Sequence, residues 1–197
     1  KPKIRTGEVL IRVAACGICG SDIRYYLGDN PWSVQTLGVQ LPNPSNIVLG
    51  HELAGTIEKC SPYHPDLKPG DRVCVLAYKG CGQCTYCTTG RENLCAQTEH
   101  LGHGAGWDDI EYCPGGMAEY CLAWADKVYR LPDTISFAEA TFLDGLAVAV
   151  HASKRANIRS GDRVLIHGCG PIGLMMAQLA LTKDAADVVC VDLQAKP

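Results

Sequence analysis

Four cysteines, Cys81, Cys84, Cys87 and Cys95, place four soft metal donors within one short polar stretch, and this constrains folding more than any other feature. The stretch is glycine-containing and poor in apolar residues, so it has no hydrophobic core of its own. Its C-x2-C-x2-C-x7-C spacing suits a closed tetrahedral shell of four thiolates around a structural zinc. Metal binding would then supply much of the local folding free energy. Chance clustering, an iron–sulfur centre and a nucleic-acid-binding zinc ribbon are the competing readings. A net charge of −3 and the absence of any basic run argue against nucleic acid as a partner.

The other cysteines, out of twelve, mostly sit singly in apolar runs such as Val73-Cys74-Val75 and Val189-Cys190-Val191. Isolated cysteines in apolar surroundings suit a reducing compartment, which predicts a cytoplasmic protein rather than a disulfide scaffold. With 47% hydrophobic and 20% charged residues the composition is globular. No apolar run approaches the roughly 20 residues that span a bilayer. Lys1–Gly7 lacks the apolar core of a secretory signal, although the chain starts abruptly before a strand-like segment.

Patterning predicts a half-buried strand over Glu8–Ala14, one or two helical turns over Ser21–Leu27, and a loop over Gly28–Asn46. Ile47–Cys60, Arg72–Ala77 and Met117–Leu131 have strand character. Many short strands with turns between them predict a partly closed antiparallel barrel. Ser136 and Glu139 form a capping box that opens an Ala-rich helical stretch to about Lys154. Arg163–His167, a glycine loop, a helix over Pro171–Thr182 and Val188–Asp192 then make a βαβ unit. The expectation is therefore an α/β chain: a barrel domain over 1–155, then the first βαβ unit of a doubly wound domain over 156–197, cut short at Pro197.

Cys19, in C-G-I-C-G-S-D, and His51, in G-H-E, each follow a strand and are each flanked by glycine and a carboxylate. A thiolate and an imidazole in that setting suit an open catalytic zinc site. Gly168-Cys169-Gly170-Pro171-Ile172-Gly173 fits G-x-G-x-x-G between a strand and a helix, with Asp192 ending the next strand. The glycines allow close approach of the backbone to a pyrophosphate at the helix N-terminus. Asp192 would bind the adenosine ribose and repel a 2′-phosphate, so the predicted cofactor is NAD rather than NADP.

Taken in order, C-G-I-C-G-S-D (16–22), G-H-E (50–52), the four-cysteine stretch, L-D-G-L-A-V-A-V-H-A (143–152) and the glycine loop resemble the zinc-dependent medium-chain alcohol dehydrogenases. The sorbitol and polyol dehydrogenase-like branch is the most similar. The resemblance implies a GroES-like catalytic domain followed by a Rossmann domain, two zinc ions per chain, and transfer of hydride from an alcohol to NAD. It implies Cys19, His51, Glu52 and Asp144 around the catalytic zinc. Glu52 stands as ligand or neighbouring carboxylate, and Asp144 occurs where relatives usually carry Cys or Glu. Ser21 resembles the proton-passing hydroxyl and Asp22 the carboxylate that orients His51. Arg24 replaces a relay histidine, so Tyr25 is a candidate to end the relay.

The implied partner is a small alcohol, with neither nucleic acid nor membrane, in a homodimer or homotetramer. Oxidation of simple alcohols or of threonine, and a non-catalytic zinc-binding module, are the rival functions. Two loops have no role assigned by the resemblance: Gly28–Asn46 with Trp32, and Thr98–Gly116 with His100, His103, Trp107, Asp108, Asp109 and Glu111. They read either as surface or subunit contacts or as the substrate entrance. His100 and His103 also have the spacing of metal ligands.

Overall fold

The computed structural model describes residues 1–43, 46–62, 66–103 and 112–194. Contacts divide the chain into two compact units, Lys1–Thr141 and Phe142–Pro197.

The first unit is built on a five-stranded antiparallel sheet. Its strands are β1 (Glu8–Cys16), β2 (Leu53–Cys60), β3 (Arg72–Val75), β6 (Tyr120–Trp124) and β7 (Val128–Arg130), in the order β6-β1-β2-β3-β7. Val9, Ile11, Leu53, Ile57 and Val73 are at most 2% exposed and centre the core. Each such side chain contributes about 1.5–3 kcal/mol by leaving water. The expected alternation holds only in the second half of β1: Glu8, Val9, Leu10 and Ile11 are all buried, so both faces of the strand are covered at that end.

A three-residue turn, Ala125–Lys127, joins β6 to β7, which lie at opposite edges of the sheet. The edges of a flat five-stranded sheet are roughly 19 Å apart, whereas a 3-10 turn of that length advances only about 8 Å. The sheet must therefore curl until its edges approach, which makes the partly closed barrel. No strand pair closes it among the described residues. Register shifts in β1 at Leu10/Ile11 and Val13/Ala15 aid the bend. Gly55 lies against the second shift, where a Cβ would run into the Arg12 carbonyl oxygen.

A small ribbon of β4 (Tyr78–Lys79) and β5 (Glu99–His100) carries the cysteine lobe between its strands. The lobe has only α2 (Thr85–Thr88) and a 3-10 turn at Glu92–Leu94 as regular structure. The segment 28–46 is not all loop, because Ser33–Leu37 winds into a π-helical turn. Asn30 and Ser33 brace that turn: the Asn30 side chain accepts the Ser33 N–H, and the Ser33 hydroxyl donates to the Asn30 carbonyl. Strand structure begins at Leu53 rather than Ile47. Upstream, Gly50 has φ +95°, which a strand cannot accommodate.

The Ser136–Glu139 capping box is present, with Glu139 N–H donating to Ser136 Oγ at 3.1 Å and Ser136 N–H to Glu139 Oε2 at 2.8 Å. The helix it opens, α3 (Phe137–Ala140), is short, and α4 (Leu143–Arg155) starts after a break. In the second unit α4 packs against α5 (Pro171–Thr182), and β8 (Arg163–His167) pairs in parallel with β9 (Asp187–Val191). On contacts, helix α4 thus groups with the second unit. The Ala-rich run does not by itself reveal that it packs against α5. No described helix is long and apolar enough to cross a membrane.

Candidate metal centres and dinucleotide loop

Among the described residues two groups could each hold a metal ion, the donor atoms inside each group lying within 4.8 Å of one another: Cys81, Cys84, Cys87 and Cys95, and Cys19, His51 and Glu52. In the four-cysteine group the Cys81 and Cys87 sulfurs are 4.0 Å apart. Sulfurs bound to one tetrahedral zinc at 2.3 Å would be roughly 3.8 Å apart, so the group fits a zinc ion. Backbone N–H groups of Cys81 and Gln97 point at Cys95 Sγ, each at 3.4 Å. N–H groups of Gln83 and Cys84 draw the Cys81 thiol down to about 6. Desolvation, reinforced by the other three sulfurs, pushes Cys87 up to about 12. Four thiolates cannot share this space without a cation, which is the condition a metal relieves. Glu92 fastens the lobe to the sheet unit by accepting Gly80 N–H at 2.8 Å and Lys127 Nζ at 2.8 and 2.9 Å.

The second group forms where β1 and the start of β2 converge. Gly17 follows β1, and its N–H donates to the Glu52 carbonyl at 2.8 Å. A Cβ on Gly17 would run into Glu52 Oε2. Cys19 caps α1 (Gly20–Tyr26), and its N–H donates to Asp22 Oδ2 at 2.8 Å. The other Asp22 oxygen accepts Gly50 N–H at 3.0 Å, which ties the start of α1 to the residue before His51. A Cβ on Gly50 would lie 2.6 Å from Cys16 Sγ, so the approach requires glycine there.

Asp22 and His51 are 2% and 5% exposed. Burial disfavours a charged His51 ring, but Asp22 and Cys19 outweigh it and hold the ring up to about 10. His51 in turn keeps the Cys19 thiol below its ordinary range. The electrostatics are those of a thiolate–imidazolium pair, and a cation can take the place of its proton.

A cavity of about 440 Å³ in this unit is lined by Ser21, Tyr25, Trp32, Tyr78, His100 and His103 among others. Ser21 Oγ is buried, and no hydrogen bond at normal geometry is found for it among the described residues. The Tyr25 hydroxyl accepts Trp32 N–H at 3.3 Å, while Arg24 turns away to pair with Asp29 at 3.2 Å. Trp32, His100 and His103 therefore belong to the cavity wall, which the sequence had left open. The remaining residues of interest in that second loop, Trp107, Asp108, Asp109 and Glu111, lie outside the described residues.

Sequence reasoning missed the contact of His103 with His51, whose Nε2 and Nδ1 are 3.1 Å apart. In the sequence the His100–His103 spacing reads as a separate metal pair. Among the described residues those two join no group of three ligands. The glycine at 102 between them was the available signal, because a Cβ there would meet the Gly50 backbone at 2.6–2.8 Å. Burial pushes His100 down to about 4 and His103 down to about 3.

In the second unit Gly168 (φ +104°) leaves β8, and Gly170, Pro171 and Ile172 begin α5. A Cβ on Gly173 would run into the Gly168 carbonyl oxygen, so that glycine permits the close helix-to-strand contact. Asp192 follows β9; its Oδ2 accepts Cys169 N–H at 2.7 Å and its Oδ1 accepts Gln194 N–H at 2.9 Å. Those donors keep the carboxylate below its ordinary range and hold it charged at the mouth of the loop. Asp144 lies in the first turn of α4.

Residues 5–133 match the alcohol dehydrogenase GroES-like domain. The chain is 39% identical over 195 residues to an alcohol dehydrogenase of Geobacillus stearothermophilus, covering 98% of this chain and 52% of the relative. It is 34% identical to a sorbitol dehydrogenase of Bombyx mori, covering 98% and 51%. A solved structure reported as a zinc-binding dehydrogenase of Sinorhizobium meliloti 1021, bound to NADP, superposes with a TM-score of 0.82 at 30% identity. It covers 98% of this chain and 51% of that one. The chain thus spans about half the length of the curated relatives it matches.

Proposed function

The chain belongs to the zinc-type medium-chain alcohol dehydrogenases with a GroES-like domain, and from that membership we propose that its protein oxidises the CH–OH group of an alcohol, a polyol foremost, by hydride transfer to NAD. The observation that carries this reading is the Cys19, His51 and Glu52 donor set beside a cavity into whose wall the buried Ser21 hydroxyl is built. Asp144 is proposed as a further ligand, on the resemblance alone.

A zinc ion held by these residues would supply Lewis acidity that lowers the pKa of a bound hydroxyl. Bound NAD would supply the hydride acceptor, which no side chain can be. The chain's own residues do the rest. Ser21 would accept the substrate proton as it gives up its own hydroxyl proton, and Tyr25, whose oxygen accepts the Trp32 N–H, keeps its own O–H to carry that proton on toward solvent. Arg24, paired outward with Asp29, takes no part. The Gly168–Gly173 loop receives the pyrophosphate at the N-terminus of α5. The carboxylate of Asp192 favours NAD by repelling a 2′-phosphate. Polar groups of Tyr78, Asn93 and Thr98 on the cavity wall suit a substrate with several hydroxyls.

The test is NADH formation by the full-length protein over polyols, simple alcohols and threonine, with and without a chelator. Chelator-sensitive turnover of a polyol is the expected result. Turnover confined to simple alcohols or threonine would keep the dehydrogenase and overturn the polyol assignment. No turnover with either nicotinamide cofactor, in protein that carries both metals, would leave the rival reading of a non-catalytic zinc-binding module.

A further inference from the structure

We propose that His103 is a positioning residue for the Cys19–His51–Glu52 centre: it accepts the Nδ1–H of His51 and so turns the other ring nitrogen of His51 toward the metal. The inference rests on the metal-centre reading above. An imidazole ligand is neutral, so one nitrogen holds the metal and the other carries the proton. The proton-bearing nitrogen normally needs an acceptor, which fixes both tautomer and ring orientation.

Asp22 was the expected acceptor. Its Oδ1 is 3.7 Å from His51 Nδ1, outside hydrogen-bond range, and both its oxygens already accept backbone N–H groups of Cys19 and Gly50. His103 Nε2, at 3.1 Å, is within range. With His51 neutral as a metal ligand and its proton on Nδ1, the neutral His103 accepts at Nε2 and carries its own proton on Nδ1.

The contact is built into the fold. Leu101, fully buried, donates its N–H to the Ala77 carbonyl at 2.9 Å, and Gly102 N–H donates to the Pro114 carbonyl at 2.8 Å. A Cβ on Gly102 would stand 2.6–2.8 Å from the backbone O, C and N of Gly50, and the Gly102 φ of +72° disfavours any side chain. The segment that carries His103 is thus pressed against the residue preceding His51. The His103 ring is stacked between Tyr25 and His100, each with ring centroids 5.4 Å away, and meets the edge of His51 at 4.3 Å.

The experiment measures metal stoichiometry and affinity in the full-length protein by competition with a chromophoric chelator. Cobalt(II) absorption then reports the geometry of the Cys19 centre. His103→Phe keeps a stacking ring and removes the acceptor, while His103→Gln keeps an acceptor oxygen. The expected result is two metals in the unaltered protein, of which His103→Phe holds the one at Cys19 about 10- to 100-fold more weakly. Affinity at the four-cysteine site stays unchanged, which shows that the variant is folded. His103→Gln should recover part of the loss and a cobalt spectrum closer to that of the unaltered protein.

Unaltered affinity and spectrum in His103→Phe would overturn the proposal. Equal losses in the Phe and Gln variants would overturn the acceptor role in favour of ring shape. A single metal in the unaltered protein, at the four cysteines, would overturn the centre itself and the inference with it.

Discussion

At the scale of single residues, Glu92 shows how a carboxylate fixes a region that has no core. Its oxygens hold Gly80 N–H and the mostly buried Lys127 ammonium, and Lys127 together with that N–H keeps its carboxyl below the ordinary range. Glu92→Ala should destabilise the protein by about 1–3 kcal/mol in urea unfolding, because it leaves a mostly buried ammonium unpaired. A carboxyl depressed in the folded state adds stability above its unfolded pKa and loses it as pH falls through the folded value. The gap between the unaltered protein and Glu92→Gln should therefore be full at neutral pH and close in acid; a gap that widened in acid would contradict the assignment. Neither contact was legible in the sequence, since thirty-five positions separate Glu92 from Lys127. Cys19, His51 and Glu52 were legible, because each sits in a short glycine-flanked motif whose spacing needs no tertiary knowledge.

At the scale of elements, the βαβ unit was read from sequence almost to the residue, since an apolar strand, a glycine turn and an apolar helix are all local signals. The π-helical turn at Ser33–Leu37 was not, because it depends on side-chain bracing by Asn30 and Ser33. The break between α3 and α4 was hidden for another reason: both halves are good helix formers, and packing decides where they part. Two tests belong here. Gly55→Ala should cost about 1–3 kcal/mol, read by denaturant unfolding, because the new methyl meets the β1 backbone at a register shift. Stripping metal from the full-length protein should raise hydrogen exchange across 81–95 while β1 and β2 stay protected, since the lobe is held by its sulfurs and the strands by their apolar core. Loss of protection in both at once would mean that the lobe has no separate stability.

At the scale of the whole molecule, the three-residue link between edge strands β6 and β7 shapes the sheet unit more than any strand does. In the second unit the charged Asp192 at the glycine loop should decide cofactor choice in the complete protein. Asp192→Ala should shift the NAD-to-NADP ratio of kcat/KM toward NADP by tenfold or more, about 1.4 kcal/mol; an unchanged ratio would remove Asp192 from that role.

By itself the sequence determined the βαβ unit, strand β1, the cysteine lobe, the two donor sets that local motifs mark, and the glycine loop, because each follows from neighbours along the chain. Only the tertiary structure decided that α4 packs with the second unit, that Asp22 spends both oxygens on backbone N–H groups, and that His103 meets His51. Those outcomes depend on which backbone can approach which, and the close contact of Gly102 with Gly50 joins segments fifty-two positions apart. No periodicity or spacing records a contact made at that range.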